Sequence, residues 1–161
     1  MKDLYGQLIL DHAKNPQHAG LREPYDVQIH QVNPTCGDEV TLRVRLANGP
    51  DGQVLEDLSY DSLGCSISIA SASILAEECL GRPVAETLET YRHLRTMLAS
   101  KGKDPGDIEQ IGDGVAFAGV SRYPARIKCA LLAWTAYVDA LARAGIDISE
   151  LFAATGDDQT H

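Results

Sequence analysis

The sequence predicts an α+β fold in which a small three-stranded antiparallel sheet is packed by about five helices. Residues 25–62 hold three segments of strand-like pattern separated by turn residues. Helical spacing of apolar residues precedes them, and the pattern changes back to helices after Gly64. Consecutive strands joined by short turns form an antiparallel meander, and helices then cover one of its faces.

The middle strand has the clearest pattern of the three. In EVTLRVRL, residues 39–46, apolar and polar residues alternate strictly, which is typical of an antiparallel strand with one face in solvent. Weaker strand patterns are YDVQIHQV before it and VLEDLSYDS after it. ANGPDGQ separates the second and third strands, and its Asn-Gly and Asp-Gly pairs are turn signals.

Helices are predicted both before and after the three strands along the chain. The first runs from about Asp3 to Lys14 and is ended by Asn15-Pro16. Three more follow Gly64, each bounded by a proline at its start or a glycine at its end: SISIASASILAEECL, VAETLETYRHLRTMLAS and YPARIKCALLAWTAYVDALARAG. Residues 101–119 are rich in Gly and Asp, so we expect a long, mobile loop with at most a short helical turn.

Length and charge restrict the function classes. The 161 residues predict a single domain over 1–155 with a disordered tail over 156–161. A net charge of −9 argues against binding nucleic acid, which requires clustered Lys and Arg, and favours a polar protein partner. The sequence has no apolar run of membrane-spanning length and no signal-peptide pattern, so we expect a cytoplasmic protein. A monomer or weak oligomer is expected.

Four widely spaced cysteines are the main candidates for chemistry. In the cytoplasm they indicate metal ligands or reactive thiols rather than disulfides. Cys36 lies in the turn NPTCGDEV, where Asp38 follows it at the spacing that puts two strand side chains on one face. Cys65 and Cys129 lie near the starts of two predicted helices, where a thiolate is stabilised. Together these four side chains are enough for a tetrahedral zinc site.

Two further features bear on this candidate site. Cys79 lies 14 residues beyond Cys65 on the same predicted helix, roughly 21 Å away, so we expect it to be a core residue. Cys129 lies opposite the apolar stripe of its helix, which indicates a role other than packing. Arg126 and Lys128 next to it would offset the charge of a thiolate-rich site, although exposed cations are also common on any helix surface. His12 is expected on a helix surface or at a cap, with a metal ligand or a partner contact as the alternative.

Four motifs carry a resemblance to a known family. LYGQLILDHAKNP, NPTCGDEV, GCSISIASAS and YPARIKCALLAW occur in order between residue 4 and about residue 137. Together they resemble the IscU/NifU N-terminal scaffold superfamily of iron–sulfur assembly proteins. Lys128 stands where cluster-building scaffolds of the IscU type carry a histidine. The segment between Cys65 and Cys129 is also long, so the chain is more similar to the SufU branch.

The resemblance implies a function and its components. Metal ligands would be Cys36, Asp38, Cys65 and Cys129, holding one Zn²⁺ per chain. The implied activity is that of a zinc-dependent sulfurtransferase, which accepts persulfide sulfur from a pyridoxal-phosphate cysteine desulfurase of the SufS type. The sulfur would then pass to cluster assembly on a SufBCD-type complex. Cys36 on its glycine-flanked turn is the expected sulfur acceptor, and Arg126 is expected to support the departing anion.

Two other function classes stay open at this point. The same ligands suit iron, so the chain could be a scaffold on which a [2Fe–2S] cluster is assembled. The metal could also serve only to stabilise the fold. Lys128 and the long 101–119 segment argue against the scaffold, and the position of Cys129 outside the apolar stripe argues against a purely structural metal.

Overall fold

A computed structural model describes residues 2–50 and 52–149. The strands are β1 (Val27–Asn33), β2 (Asp38–Gly49) and β3 (Gly52–Leu63). The helices are α1 (Lys2–Lys14), α2 (Ser66–Cys79), α3 (Val84–Leu98), α4 (Ile108–Ile111) and α5 (Pro124–Arg143), and a 3-10 helix covers Gly112–Arg122. The predicted α+β fold with a three-stranded sheet and five helices is confirmed. The tail predicted over 156–161 lies outside the described residues.

The sheet is an antiparallel meander in the order β1-β2-β3. The strict alternation in β2 appears in its burial, since the side chains of Val40, Leu42 and Val44 are buried and the polar residues between them are partly exposed. The pairs Asn33↔Asp38 and Glu39↔Leu63 bring one end of all three strands together. The chain enters α2 directly after this end of β3, so the sheet fixes the position of the α2 N-terminus.

Helices α2 and α5 pack against each other and against the sheet. The small residues of α2, including Ala70 and Ser71, are buried and allow α5 to approach closely. The Ser71 hydroxyl donates a hydrogen bond to the carbonyl of Ala130 on α5. Trp134 and Tyr137 of α5 are also buried in the core. Within the described residues, none of the helices has the length and hydropathy needed to cross a membrane.

The expectation of a mobile loop over residues 101–119 was wrong for its second half. Residues from Ile108 onward are helical, and Val115, Ala116 and Phe117 are buried in the core. The glycines that suggested a loop instead shape local turns, as at Gly112, which has a φ of 54°. The apolar residues between them form part of the surface on which α1, α3 and α5 pack.

Candidate metal centre

The four predicted ligands lie at the end of the sheet where the three strands meet α2 and α5. Cys36 is exposed on the turn between β1 and β2, and Asp38 is the buried first residue of β2. Cys65 is the N-cap residue of α2 and makes no capping hydrogen bond with its side chain. Cys129 is completely buried near the start of α5.

The distances among these side chains fit a shared metal ion. Sγ of Cys129 lies 3.3 Å from Sγ of Cys36, and Sγ of Cys65 lies 4.0 Å from Oδ2 of Asp38. Ligands about 2.0–2.3 Å from a tetrahedral zinc ion are separated by about 3.3–3.8 Å. Three ligand atoms lie within 4.8 Å of one another, one each from Cys36, Asp38 and Cys129. Cys65 falls outside this group of three, although its Sγ lies near the Asp38 carboxylate.

Asp38 is held in place by the backbone around it. Its Oδ1 accepts a hydrogen bond of 3.0 Å from the backbone N–H of Cys65, so one oxygen is fixed by the α2 N-terminus and the other faces the thiols. Gly64 makes this contact possible, since a Cβ at that position would lie 2.9 Å from Asp38 Cα and would overlap the carboxylate. The glycine before Cys65 is therefore needed for space as well as for its φ of 140°.

The cysteine cluster favours binding of a cation, because its thiols and the Asp38 carboxylate lie close together. Burial, the Asp38 carboxylate and the thiols of Cys36 and Cys65 all raise the pKa of the Cys129 thiol well above its ordinary value. Removing the proton from this thiol without a compensating positive charge is therefore unfavourable. A divalent cation would supply that charge, since metal binding replaces protons on thiol ligands.

One sequence interpretation of this region needs correction. Cys129 was assigned to the face of α5 away from the core, yet it is buried, as are Ala133 and Ala136 on the same face. The reason is that α5 packs against α2 and against the sheet at once, so it is buried on more than one face. The position of Cys129 therefore no longer argues against a structural metal. Arg126 and Lys128 are exposed on α5, as a cationic helix surface would be.

Sequence reasoning missed Asn33 as a member of the site. It is buried, and its side-chain amide lies 3.8 Å from Sγ of Cys129 in a hydrogen bond that the amide donates. The backbone carbonyl of Asn33 also accepts hydrogen bonds from the backbone N–H groups of Cys36 and Gly37, at 3.2 and 2.9 Å. These bonds shape the turn. The only signal in the sequence was the pair Asn33-Pro34, which is equally typical of an ordinary turn.

Cys79 is not part of the site. It is completely buried at the far end of α2, and burial raises the pKa of its thiol to about 12. The prediction that Cys79 is a core residue is confirmed. His12 is also buried, contrary to the expected position on a helix surface or at a cap.

The profile of the NifU-like N-terminal domain matches residues 4–130, which is most of the chain. The chain belongs to the family of NifU-like N-terminal domains. The resemblance inferred from the four sequence motifs is thereby confirmed, and the matched range contains all four candidate ligands.

Relatives within this family carry two kinds of name. The chain is 39% identical over 140 residues to the zinc-dependent sulfurtransferase SufU of Bacillus subtilis, covering 87% of this chain and 90% of that protein. It is 33% identical over 144 residues to the iron–sulfur cluster assembly scaffold protein IscU of Streptococcus pyogenes, with 89% and 86% covered. These relatives associate the NifU-like domain with iron–sulfur cluster assembly.

A solved structure shares the fold. It is described as an iron–sulfur cluster assembly scaffold protein for the SUF system from Fervidobacterium islandicum, with a TM-score of 0.71 and 32% identity over 84% of this chain and 94% of that one. The three-stranded sheet and its covering helices are therefore the fold of this family.

Replacing Asn33 by alanine is expected to weaken metal binding at the cysteine cluster by about 10- to 100-fold, because it removes a hydrogen bond to the Cys129 sulfur. Asn48→Ala is the matched control, since Asn48 is exposed at the opposite end of β2. Competition with a chromophoric chelator measures both affinities. Equal zinc affinities in the two variants would show that the Asn33 amide does not support the site.

Proposed function

We propose that the protein is a zinc-dependent sulfurtransferase that accepts persulfide sulfur from a cysteine desulfurase and delivers it to iron–sulfur cluster assembly. The observation that carries this proposal is the difference in exposure among the clustered cysteines. Cys36 is exposed on a turn, whereas Cys129, with its Sγ 3.3 Å away, is fully buried. One thiol can therefore meet a partner while the others remain anchored in the fold.

Cys36, Asp38, Cys65 and Cys129 are the residues that would hold the zinc ion. Bound zinc would supply a redox-inert positive charge that keeps the thiol ligands deprotonated without oxidising them. The donor set of three sulfurs and one carboxylate oxygen, together with the fit of the distances, supports this assignment. The zinc-dependent relative from Bacillus subtilis supports it as well.

The transfer step needs no external oxidant or reductant. The thiolate of Cys36 attacks the outer sulfur of a persulfide on the desulfurase, and a new S–S bond forms to Cys36 Sγ. The S–S bond within the donor persulfide breaks at the same time, and the donor cysteine leaves as a thiolate. The anchored positions of Cys65 and Cys129 on α2 and α5 leave Cys36 as the acceptor. Arg126, exposed one helical turn before Cys129, is the cation proposed to support the departing anion.

The surroundings of the site suit a protein partner. Val32, which directly precedes Asn33, is 52% exposed, and Leu63, two residues before Cys65, is 61% exposed. Tyr123, which caps α5, is 60% exposed. Large exposed apolar side chains around a reactive group favour docking of another protein. We propose a pyridoxal-phosphate desulfurase of the SufS type as donor and a SufBCD-type complex as the later acceptor, both in the cytoplasm.

Assembly of a [2Fe–2S] cluster is the second candidate function, because the thiol ligands also suit iron and the Streptococcus relative is named a scaffold. A metal that only stabilises the fold is the third. Exposure of Cys36 favours the first candidate over the third, because a thiol that only holds a structural metal need not be accessible to a partner.

Metal analysis combined with a desulfurase assay tests the proposal. Protein purified without oxygen is expected to contain about one zinc per chain, with no iron or labile sulfide, and to stimulate alanine production by a SufS-type desulfurase. Iron with matching sulfide and a visible absorption band would support the scaffold instead. Zinc without any stimulation would leave a structural metal as the better account.

A further inference from the structure

A second cluster of potential ligands surrounds His12, away from the cysteines. His12 lies on α1 and is 6% exposed. Its Nε2 lies 2.9 Å from Oδ2 of Asp113 and 3.5 Å from Oε1 of Glu77. Glu77 belongs to α2 and Asp113 to the 3-10 helix, so three separate elements converge on one imidazole nitrogen.

The spacing of these atoms matches the first coordination shell of a metal ion. One ligand atom from each of His12, Glu77 and Asp113 lie within 4.8 Å of one another. Nitrogen and oxygen ligands about 2.1 Å from an ion are separated by about 2.9–3.4 Å, according to the coordination angle. The two measured distances of 2.9 and 3.5 Å from Nε2 fall close to this range.

The hydrogen bonding of the imidazole allows Nε2 to act as a ligand. On the opposite side of the ring, Nδ1 lies 2.7 Å from the hydroxyl of Ser73. That hydroxyl also accepts the backbone N–H of Gln17 at 2.8 Å, which fixes its position. When Nδ1 donates its proton to Ser73, Nε2 presents a lone pair to the two carboxylates. Metal-bound histidines are commonly oriented in this way by a partner on their other nitrogen.

The negative charge of the His12 cluster also favours binding of a cation. In the described part of the chain, the ion pairs of Glu77 and Asp113 are both with His12, which supplies at most one positive charge for two carboxylates. Burial and the neighbouring Asp113 raise the pKa of Glu77. A third carboxylate, Glu78, accepts the backbone N–H of Asp113 at 3.4 Å. A cation at this point would relieve the repulsion among these groups.

We propose that His12, Glu77 and Asp113 form a second metal site that binds a first-row divalent ion such as Mn²⁺, with water completing the coordination. A set of one imidazole and two carboxylates suits Mn²⁺ better than it suits metals that prefer thiolate ligands. Glu77 lies 12 residues after Cys65 along α2, about 18 Å at the helical rise. The site is therefore separate from the cysteine centre and differs from it in metal preference.

Manganese titration of the zinc-loaded protein tests this proposal. Mn²⁺ is the probe, because it prefers oxygen and nitrogen ligands to thiolates and its free form is measured directly by electron paramagnetic resonance. Saturable binding of one Mn²⁺ per chain is expected, with the zinc content unchanged. Glu77→Gln is expected to weaken this binding at least tenfold. The side chain of Glu77 is 43% exposed, so this variant should keep the fold, which circular dichroism can verify.

Glu109→Gln is the matched control, because Glu109 is an exposed carboxylate on the neighbouring α4. It is expected to bind Mn²⁺ like the unmodified protein, and Asp113→Asn is expected to resemble Glu77→Gln. Absence of saturable Mn²⁺ binding would overturn the proposal. Equal affinities in Glu77→Gln and Glu109→Gln would overturn it too and would leave the cluster as a hydrogen-bonded contact among α1, α2 and the 3-10 helix.

Discussion

Replacing Cys36 by alanine is expected to abolish stimulation of the partner desulfurase, with a loss on the order of 100-fold or more because the attacking nucleophile is removed. The fold should persist, since Cys36 is exposed on a turn and contributes little to the core. The measurement is the rate of alanine formation from cysteine by the desulfurase at saturating amounts of each variant.

Thr35→Ala is the matched control for this prediction. Thr35 is the neighbouring exposed residue of the same turn, so its replacement disturbs the same surface without removing a thiol. It is expected to stimulate the desulfurase nearly as well as the unmodified protein. If Cys36→Ala stimulated as strongly as Thr35→Ala, Cys36 would not be the sulfur acceptor.

Replacing Gly64 by alanine is expected to weaken zinc binding at the proposed site, because the added Cβ would overlap the Asp38 carboxylate. The Asp38 side chain would have to move away from the α2 N-terminus and lose its hydrogen bond from Cys65 N–H. We expect at least about a tenfold loss of zinc affinity. Competition with a chromophoric chelator measures it, and the fold is followed by thermal unfolding.

Gly81→Ala separates the steric effect from backbone strain. Gly81 follows the other end of α2 with a positive φ of 80°, yet a Cβ there meets no atom within 4 Å. Both variants therefore carry the cost of a left-handed backbone, roughly 1–3 kcal/mol, but only Gly64→Ala crowds a ligand. Equal zinc affinities in the two variants would contradict the role assigned to Asp38.

Local signals in the sequence were enough to predict most of the fold. Strict alternation in EVTLRVRL identified β2 and its buried face, and Pro124 and Gly81 marked a helix start and a helix end that the structure contains. Such signals work because they depend on neighbours in the chain: strand periodicity, the fixed φ of proline and the freedom of glycine.

The errors concern features that depend on distant residues. His12 contacts Ser73 and Asp113, which are 61 and 101 residues away in the chain, so nothing in its local sequence reveals its burial. Cys129 was misplaced because the apolar stripe of α5 was taken to mark its only buried face, whereas the helix is enclosed on several sides.

The cysteine site was predictable in composition but not in detail. Cys36 and Asp38 share a motif, Cys65 and Cys129 join them because both lie near predicted helix starts, and the resemblance to the family implies the same four residues. No local feature of the sequence indicates that Asn33 donates a hydrogen bond to Cys129, or that Gly64 makes room for Asp38. Both depend on how β1, β2 and α2 approach one another in three dimensions.

Locating the transferred sulfur tests the central claim most directly. The zinc-loaded protein is incubated with a SufS-type desulfurase and cysteine, persulfides are trapped by alkylation, and peptides are mapped by mass spectrometry. The account predicts an additional sulfur atom on Cys36, and none on Cys65, Cys79 or Cys129. A persulfide found on Cys65 or Cys129 instead, or on none of the cysteines while the desulfurase turns over, would contradict it.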